Sequence, residues 1–101
     1  MKYLKLGEDI YTPQNCDQPL KDASEINFNY YISTRVKDEI IDLDVTSKIF
    51  HKNEVYIRKS CYRIKMGQIE DCVKLNILDH MQNLGVPDSI IPESLKSAAS
   101  L

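Results

Sequence analysis

From Asn27 to Val36, apolar and polar residues take turns along the chain. Phe28, Tyr30, Ile32, Thr34 and Val36 share one side, and Asn27, Asn29, Tyr31, Ser33 and Arg35 share the other. A period of two, carried by aromatic and β-branched residues, predicts a half-buried β-strand. The polar Lys37-Asp38-Glu39 then turns the chain into Ile41, Leu43 and Val45, a second alternating run and an antiparallel partner for the first. After the polar His51-Lys52-Asn53-Glu54 comes a third strand, Val55 to Ile64. Its alternation is imperfect, which predicts a bulge or exposure of both faces.

The last third changes period. Ile69, Cys72, Val73, Ile77, His80, Met81 and Leu84 follow i, i+3, i+4 spacing and predict one stripe of an amphipathic helix. Glu70 and Asp71 stand in its first turn, where the helix dipole favours carboxylates. Asn83-Leu84-Gly85-Val86-Pro87 is a stop signal: a glycine for the left-handed cap, an apolar residue, then proline. From Gly67 to Leu84 such a helix runs about 27 Å, enough to cross a small sheet. A second, short helix is expected with Pro92 in its first turn and Leu95, Ala98 and Ala99 on its apolar face.

Ahead of these elements, Lys2 to Leu6 alternates and predicts a short strand ending at Gly7. Residues 8–25 carry Pro13, Asn15, Asp17 and Pro19 among few apolar residues and read as an irregular loop. A loop of that length in a compact domain is held down by its own core or by a partner. Together the elements predict an α+β fold: a small antiparallel sheet of three to four strands packed against one long C-terminal helix, with a short final helix.

Size and composition narrow the class. The 101 residues suit a single domain, 1–101, with residues 8–25 irregular, 27–65 β-rich and 67–99 helical. With 43% apolar and 28% charged residues the composition is that of a globular protein. No apolar run approaches the roughly 20 residues of a membrane helix, and the first residues lack the apolar core of a secretory signal. Cys16, Cys61 and Cys72 are odd in number and contain no CxxC spacing, so reduced thiols in a cytoplasmic compartment are expected. The net charge of −2 hides an asymmetry. Residues 48–65 hold six Lys/Arg against one Glu, while the segments on either side are acidic. Such an island marks a possible contact surface.

Four groups of residues carry candidate chemistry. The stretch IIDLDVTSK, Ile40 to Lys48, resembles the first motif of haloacid-dehalogenase-like phosphatases over nine residues. The resemblance implies Asp42 as nucleophile and Asp44 as acid/base. That family also needs a later lysine, magnesium-holding carboxylates and a nucleophile strand buried on both faces. Here Asp42, Asp44 and Thr46 alternate with Leu43 and Val45 as in a one-sided strand, so both aspartates are expected to face water. Cys72 and His80 share a helix face but lie eight residues apart, and Cys61 is remote; zinc ligands pair at closer spacing, so no metal is expected. P-loop and dinucleotide fingerprints need more glycines than Gly7, Gly67 and Gly85 supply.

The fourth group is the basic strand. Tyr56, Arg58, Ser60 and Tyr62 line one side of it, and Lys59, Arg63 and Lys65 the other. Aromatics interleaved with cations suit an edge strand dressed in charge, a protein contact, or nucleic-acid stacking. The acidic balance of the chain favours protein. The expected function is a non-catalytic, protein-binding or structural subunit of a larger assembly, such as a phage virion or similar particle. Its partner is another protein or copies of itself, its contact residues are Tyr56, Arg58, Lys59, Tyr62, Arg63 and Lys65, and no cofactor or small-molecule substrate is implied. The alternatives are a nucleic-acid-binding module using strand 55–65, or a small inhibitor or immunity-type protein.

Overall fold

The computed structural model describes residues 4–5, 8–9 and 19–99, with side-chain environments for 19–96. Five strands form one antiparallel sheet: β1 (Leu4–Lys5), β2 (Glu8–Asp9), β3 (Asn27–Lys37), β4 (Ile40–His51) and β5 (Glu54–Lys65). The three long strands make a meander, β5-β4-β3, and β1 and β2 both pair with the free side of β5. Helix α1 (Ile69–Asn83) crosses one face; a 3₁₀ turn at Asp88–Ile90 and a short α2 (Glu93–Ala99) follow. The fold is α+β as the sequence predicts.

Turn chemistry sets the register of the meander. Lys37 faces Ile40 and His51 faces Glu54, so both connections are two-residue loops. Their first central residues, Asp38 and Lys52, take φ of 59° and 55°. One positive φ at that position suits a type II′ turn, whose twist matches that of the strands it joins.

The core lies between α1 and the sheet. From β4 it takes every second residue, Ile41, Leu43, Val45, Ser47 and Ile49, while Asp42, Asp44 and Thr46 turn to the open face. From the helix it takes Cys72, Val73, Ile77, His80 and Met81, nearly the whole predicted stripe. The stop signal forms a complete Schellman cap: the Val86 amide donates to the Met81 carbonyl and the Gly85 amide to that of Gln82, both at 3.0 Å. Gly85 supplies the required positive φ, 78°. Leu20, fully buried, donates its amide to the Leu84 carbonyl at 2.9 Å and so ties the chain ahead of β3 to the end of α1.

Three expectations need correction. Glu8–Asp9 is a strand, so the segment assigned to loop is partly sheet; residues 10–18 lie outside the described ones. β5 carries no bulge against β4: the two pair without interruption from Ile40↔Lys65 to His51↔Glu54. It is also no edge strand, because β1 and β2 occupy its other side.

The third correction concerns β3. None of its residues is buried, although its alternation predicts a half-buried strand. The reason is geometric. Helix α1 packs over β4 and β5, and β3 is the outermost strand of the sheet. Phe28, Ile32 and Val36 stand opposite the core residues Ile49, Val45 and Ile41, on the helix side; Phe28 packs partly buried against the core, while Ile32 and Val36 stay exposed.

Candidate functional site

The six residues of the basic strand divide between the two faces of the sheet. Tyr56, Arg58 and Tyr62 point under α1 and are buried, with exposures of 3%, 1% and 5%. Lys59, Arg63 and Lys65 point to the open face and are exposed. A partner meeting the folded domain can reach the second group only. This corrects the expectation that the aromatic and guanidinium side chains anchor a contact.

What the inward group does is visible from its partners. β5 presents a polar inner row, Tyr56, Arg58, Ser60 and Tyr62, and α1 answers with Asn76, Asp79 and His80. Asn76 Nδ2 donates to Tyr62 Oη. Arg58 Nη1 meets Asp79 Oδ2 at 2.6 Å, and Ser47 Oγ lies 2.8 Å from His80 Nδ1. Ser47 and Arg58 are cross-strand neighbours, so the last two contacts sit side by side. The Arg58–Asp79 and Asn76–Tyr62 pairs fix where along β5 the helix can rest, because a slip of one turn leaves Arg58, Asn76 and Tyr62 buried without these partners. Arg58 is the largest fully buried side chain. Its aliphatic stem fills space as a methionine could, and buried ion pairs are often neutral to replacement by packed apolar groups. Replacing both members of the pair, Arg58→Met with Asp79→Leu, is therefore expected to change the unfolding free energy by no more than about 1 kcal/mol, measured by urea denaturation.

The Ser47–His80 pair has the geometry of a nucleophile and its base but not the access. Both residues are fully buried, and burial, with the Arg58 guanidinium beside it, pulls the His80 pKa down to about 4. The thiols are no better placed. Burial pushes Cys72 up to about 12, and a hydrogen bond to Asp44 together with burial raises Cys61, so neither is primed as a thiolate. Asp42 lies on the open face and pairs with Arg63 at 3.1 Å. The strand carrying it is one-sided, unlike the doubly buried strand that the phosphatase resemblance implies.

The open face is a mixed surface. Arg35, Lys37, Lys48, Lys59, Arg63 and Lys65 surround Asp42 and Asp44, and Lys48 Nζ lies 4.9 Å from the centre of the Tyr31 ring. The hairpin end beside it carries a shallow cleft near Pro19, His51, Glu54 and Tyr56, where Tyr56 donates to Glu54 and His51 contacts the Glu25 carbonyl.

The feature with the plainest capacity is the outer edge of β3. Eleven residues run along it, and among the described residues no strand pairs with that side. Natural proteins guard such edges with proline, a bulge, inward-pointing charge or charged side chains along the edge, and β3 has only the last, Arg35 and Lys37 at one end. β3 has no proline, pairs with β4 residue for residue, and keeps Arg35 and Lys37 on the open face. On its helix side, Tyr30, Ile32 and Val36 are 44%, 44% and 56% exposed. Strand alternation signals these residues; only strand order reveals that no described element covers them. No helix among the described residues is long and apolar enough to cross a membrane. Comparison with family models, with curated proteins and with solved structures gives no match.

Proposed function

We propose that the chain is a non-catalytic, protein-binding or structural subunit and that β3 is its docking strand. One observation carries this: an eleven-residue edge that no described strand pairs, with an apolar stripe continuous with the core beside it. An exposed edge offers a row of backbone donors and acceptors, and a partner strand added there gains affinity from main-chain bonds and selectivity from alternate side chains. Apolar residues flanking the edge add the burial that hydrogen bonds alone do not supply.

The test is Ile32→Lys, which puts a charge in the middle of the apolar stripe. The expected result is loss of the complex recovered from the native source, with the melting temperature of the domain unchanged. A complex that survives the substitution would overturn β3 as the docking strand. Magnesium-dependent phosphate-ester hydrolysis lost on Asp42→Asn would overturn the non-catalytic assignment.

A second reading, nucleic-acid binding, is supported by the six cations of the open face with Tyr31 among them. Binding of that kind falls steeply with salt. Affinity for single-stranded RNA that persists at physiological salt and is lost on Arg35→Ala with Lys59→Ala would favour it.

A further inference from the structure

The occupant of the β3 edge can be argued from β3 itself. Ile32 is the midpoint of Asn27–Lys37, so a two-fold axis through it lets all eleven residues pair with those of a second copy. In that register Ile32 meets Ile32, Phe28 meets Val36 and Tyr30 meets Thr34 on the helix side. On the open face Tyr31 meets Ser33, Asn29 meets Arg35 and Asn27 meets Lys37. Aromatic residues thus meet β-branched or hydroxyl partners, which stabilises antiparallel pairs. No charge opposes a like charge. Arg35 and its copy end up about 20 Å apart at a strand rise of about 3.4 Å per residue. Sliding the axis to Thr34 sets Tyr31 against Lys37 and carries the Asp38 turn into the seam.

The backbone is set for the same pairing. A two-residue hairpin loop closes on a hydrogen-bonded pair, here Lys37 and Ile40, so odd-numbered residues of β3 bond to β4. Even-numbered residues then aim their amides and carbonyls outward. Tyr30 shows this directly: its amide donates not to β4 but to Oδ1 of its own neighbour Asn29, at 2.8 Å. Rotation of Asn29 frees that donor for an incoming strand.

We infer that β3 pairs with β3 of a second copy, antiparallel about Ile32, joining two sheets into one with both α1 helices on the same side. The inference rests on the reading of β3 as a docking strand and adds who occupies it. A seam of one strand from each copy is a small interface, and small interfaces are weak or transient, so a concentration-dependent dimer is expected.

Sedimentation over a range of concentrations reads the dimer, and cysteine crosslinking reads the register. With Cys16→Ser and Cys61→Ser as background, Ile32→Cys is expected to oxidise to a covalent dimer, because hydrogen-bonded partners lie about 5.5 Å apart, within disulfide reach. Val36→Cys alone should not crosslink, but should do so when mixed with Phe28→Cys. Ile32→Lys should leave a folded monomer at all concentrations. A wild-type monomer at hundreds of micromolar overturns the inference, as does a dimer that survives Ile32→Lys or a Val36→Cys that crosslinks to itself. If the chain is monomeric but its native complex is still lost on Ile32→Lys, the occupant is a different protein and the docking-strand reading stands. A monomer whose native complex ignores that substitution ends both.

Discussion

Replacing Ile77 or Met81 by alanine is expected to lower the unfolding free energy by about 2–5 kcal/mol each. The two side chains are 1% and 0% exposed, in the layer where α1 meets β4 and β5. Deleting their atoms forfeits the transfer free energy of the lost methylenes and leaves a cavity that a rigid sheet closes only in part. Met81 sits one turn before the Schellman cap, but its role there is played by the backbone carbonyl and survives the substitution. Ile32→Ala, on the bare stripe of β3, serves as the contrast and should cost the isolated monomer less. Equal denaturation midpoints for wild type and both helix variants would mean that α1 does not cover the sheet.

The second large effect is a loss of stability in acid. In the unfolded chain a histidine takes up its proton near its ordinary pKa of 6.5; in the folded chain His80 does so only at about 4. Burial is the main cause, and the Arg58 guanidinium adds to it, against the opposing pull of Asp79. Between those two values the unfolded state binds the proton and the folded state resists it. The contribution of His80 is therefore fully present above pH 6.5 and is lost as the pH falls towards about 4. Two and a half pKa units correspond to about 3 kcal/mol. Urea midpoints measured from neutral to about pH 4 should fall steeply in the wild type. His80→Asn, which keeps a polar atom near Ser47, should show a flatter profile even if its stability at neutral pH is lower. Parallel profiles for the two proteins would assign the acid loss to carboxylates instead.

Much of the fold is legible in the sequence because periodicity reports burial directly. The helical stripe from Cys72 to Leu84, the glycine-proline stop and the one-sided β4 all stand where their patterns place them. The misreadings of β3 and of the inner row of β5 share one physical origin: periodicity says which residues lie together on a face, not what covers that face. β3 alternates as well as β4 does, yet its apolar side extends past the edge of α1. In β5 the row Tyr56, Arg58, Ser60, Tyr62 looks like a surface because it is polar. It lies buried with Arg58 and Tyr62 met by Asp79 and Asn76 on the helix, residues with no local link to the strand, and Tyr56 by Glu54. The contact residues expected on β5 therefore split, with Lys59, Arg63 and Lys65 outside and their neighbours inside. The candidate docking edge is legible in composition but not in position, since strand order is a tertiary fact.

The pairing of β1 and β2 with β5 also bears on the order in which the molecule assembles. Each hairpin of the meander closes over two residues, and α1 follows β5 after a short turn, so these contacts are local and form early. Leu4 must wait for Arg63, and Glu8 for Lys59. The entropy of closing so long a loop is recovered only once the rest of the sheet exists to receive the strand. During synthesis β1 and β2 thus leave the ribosome before the meander and find their places after it. Until they do, a nascent chain carries two bare edges, β3 and β5. A molecule in that state can add neighbours at both ends, in a series that no two-fold axis closes. Docking of β1 and β2 covers part of the β5 edge and leaves β3 as the long edge that no described strand pairs.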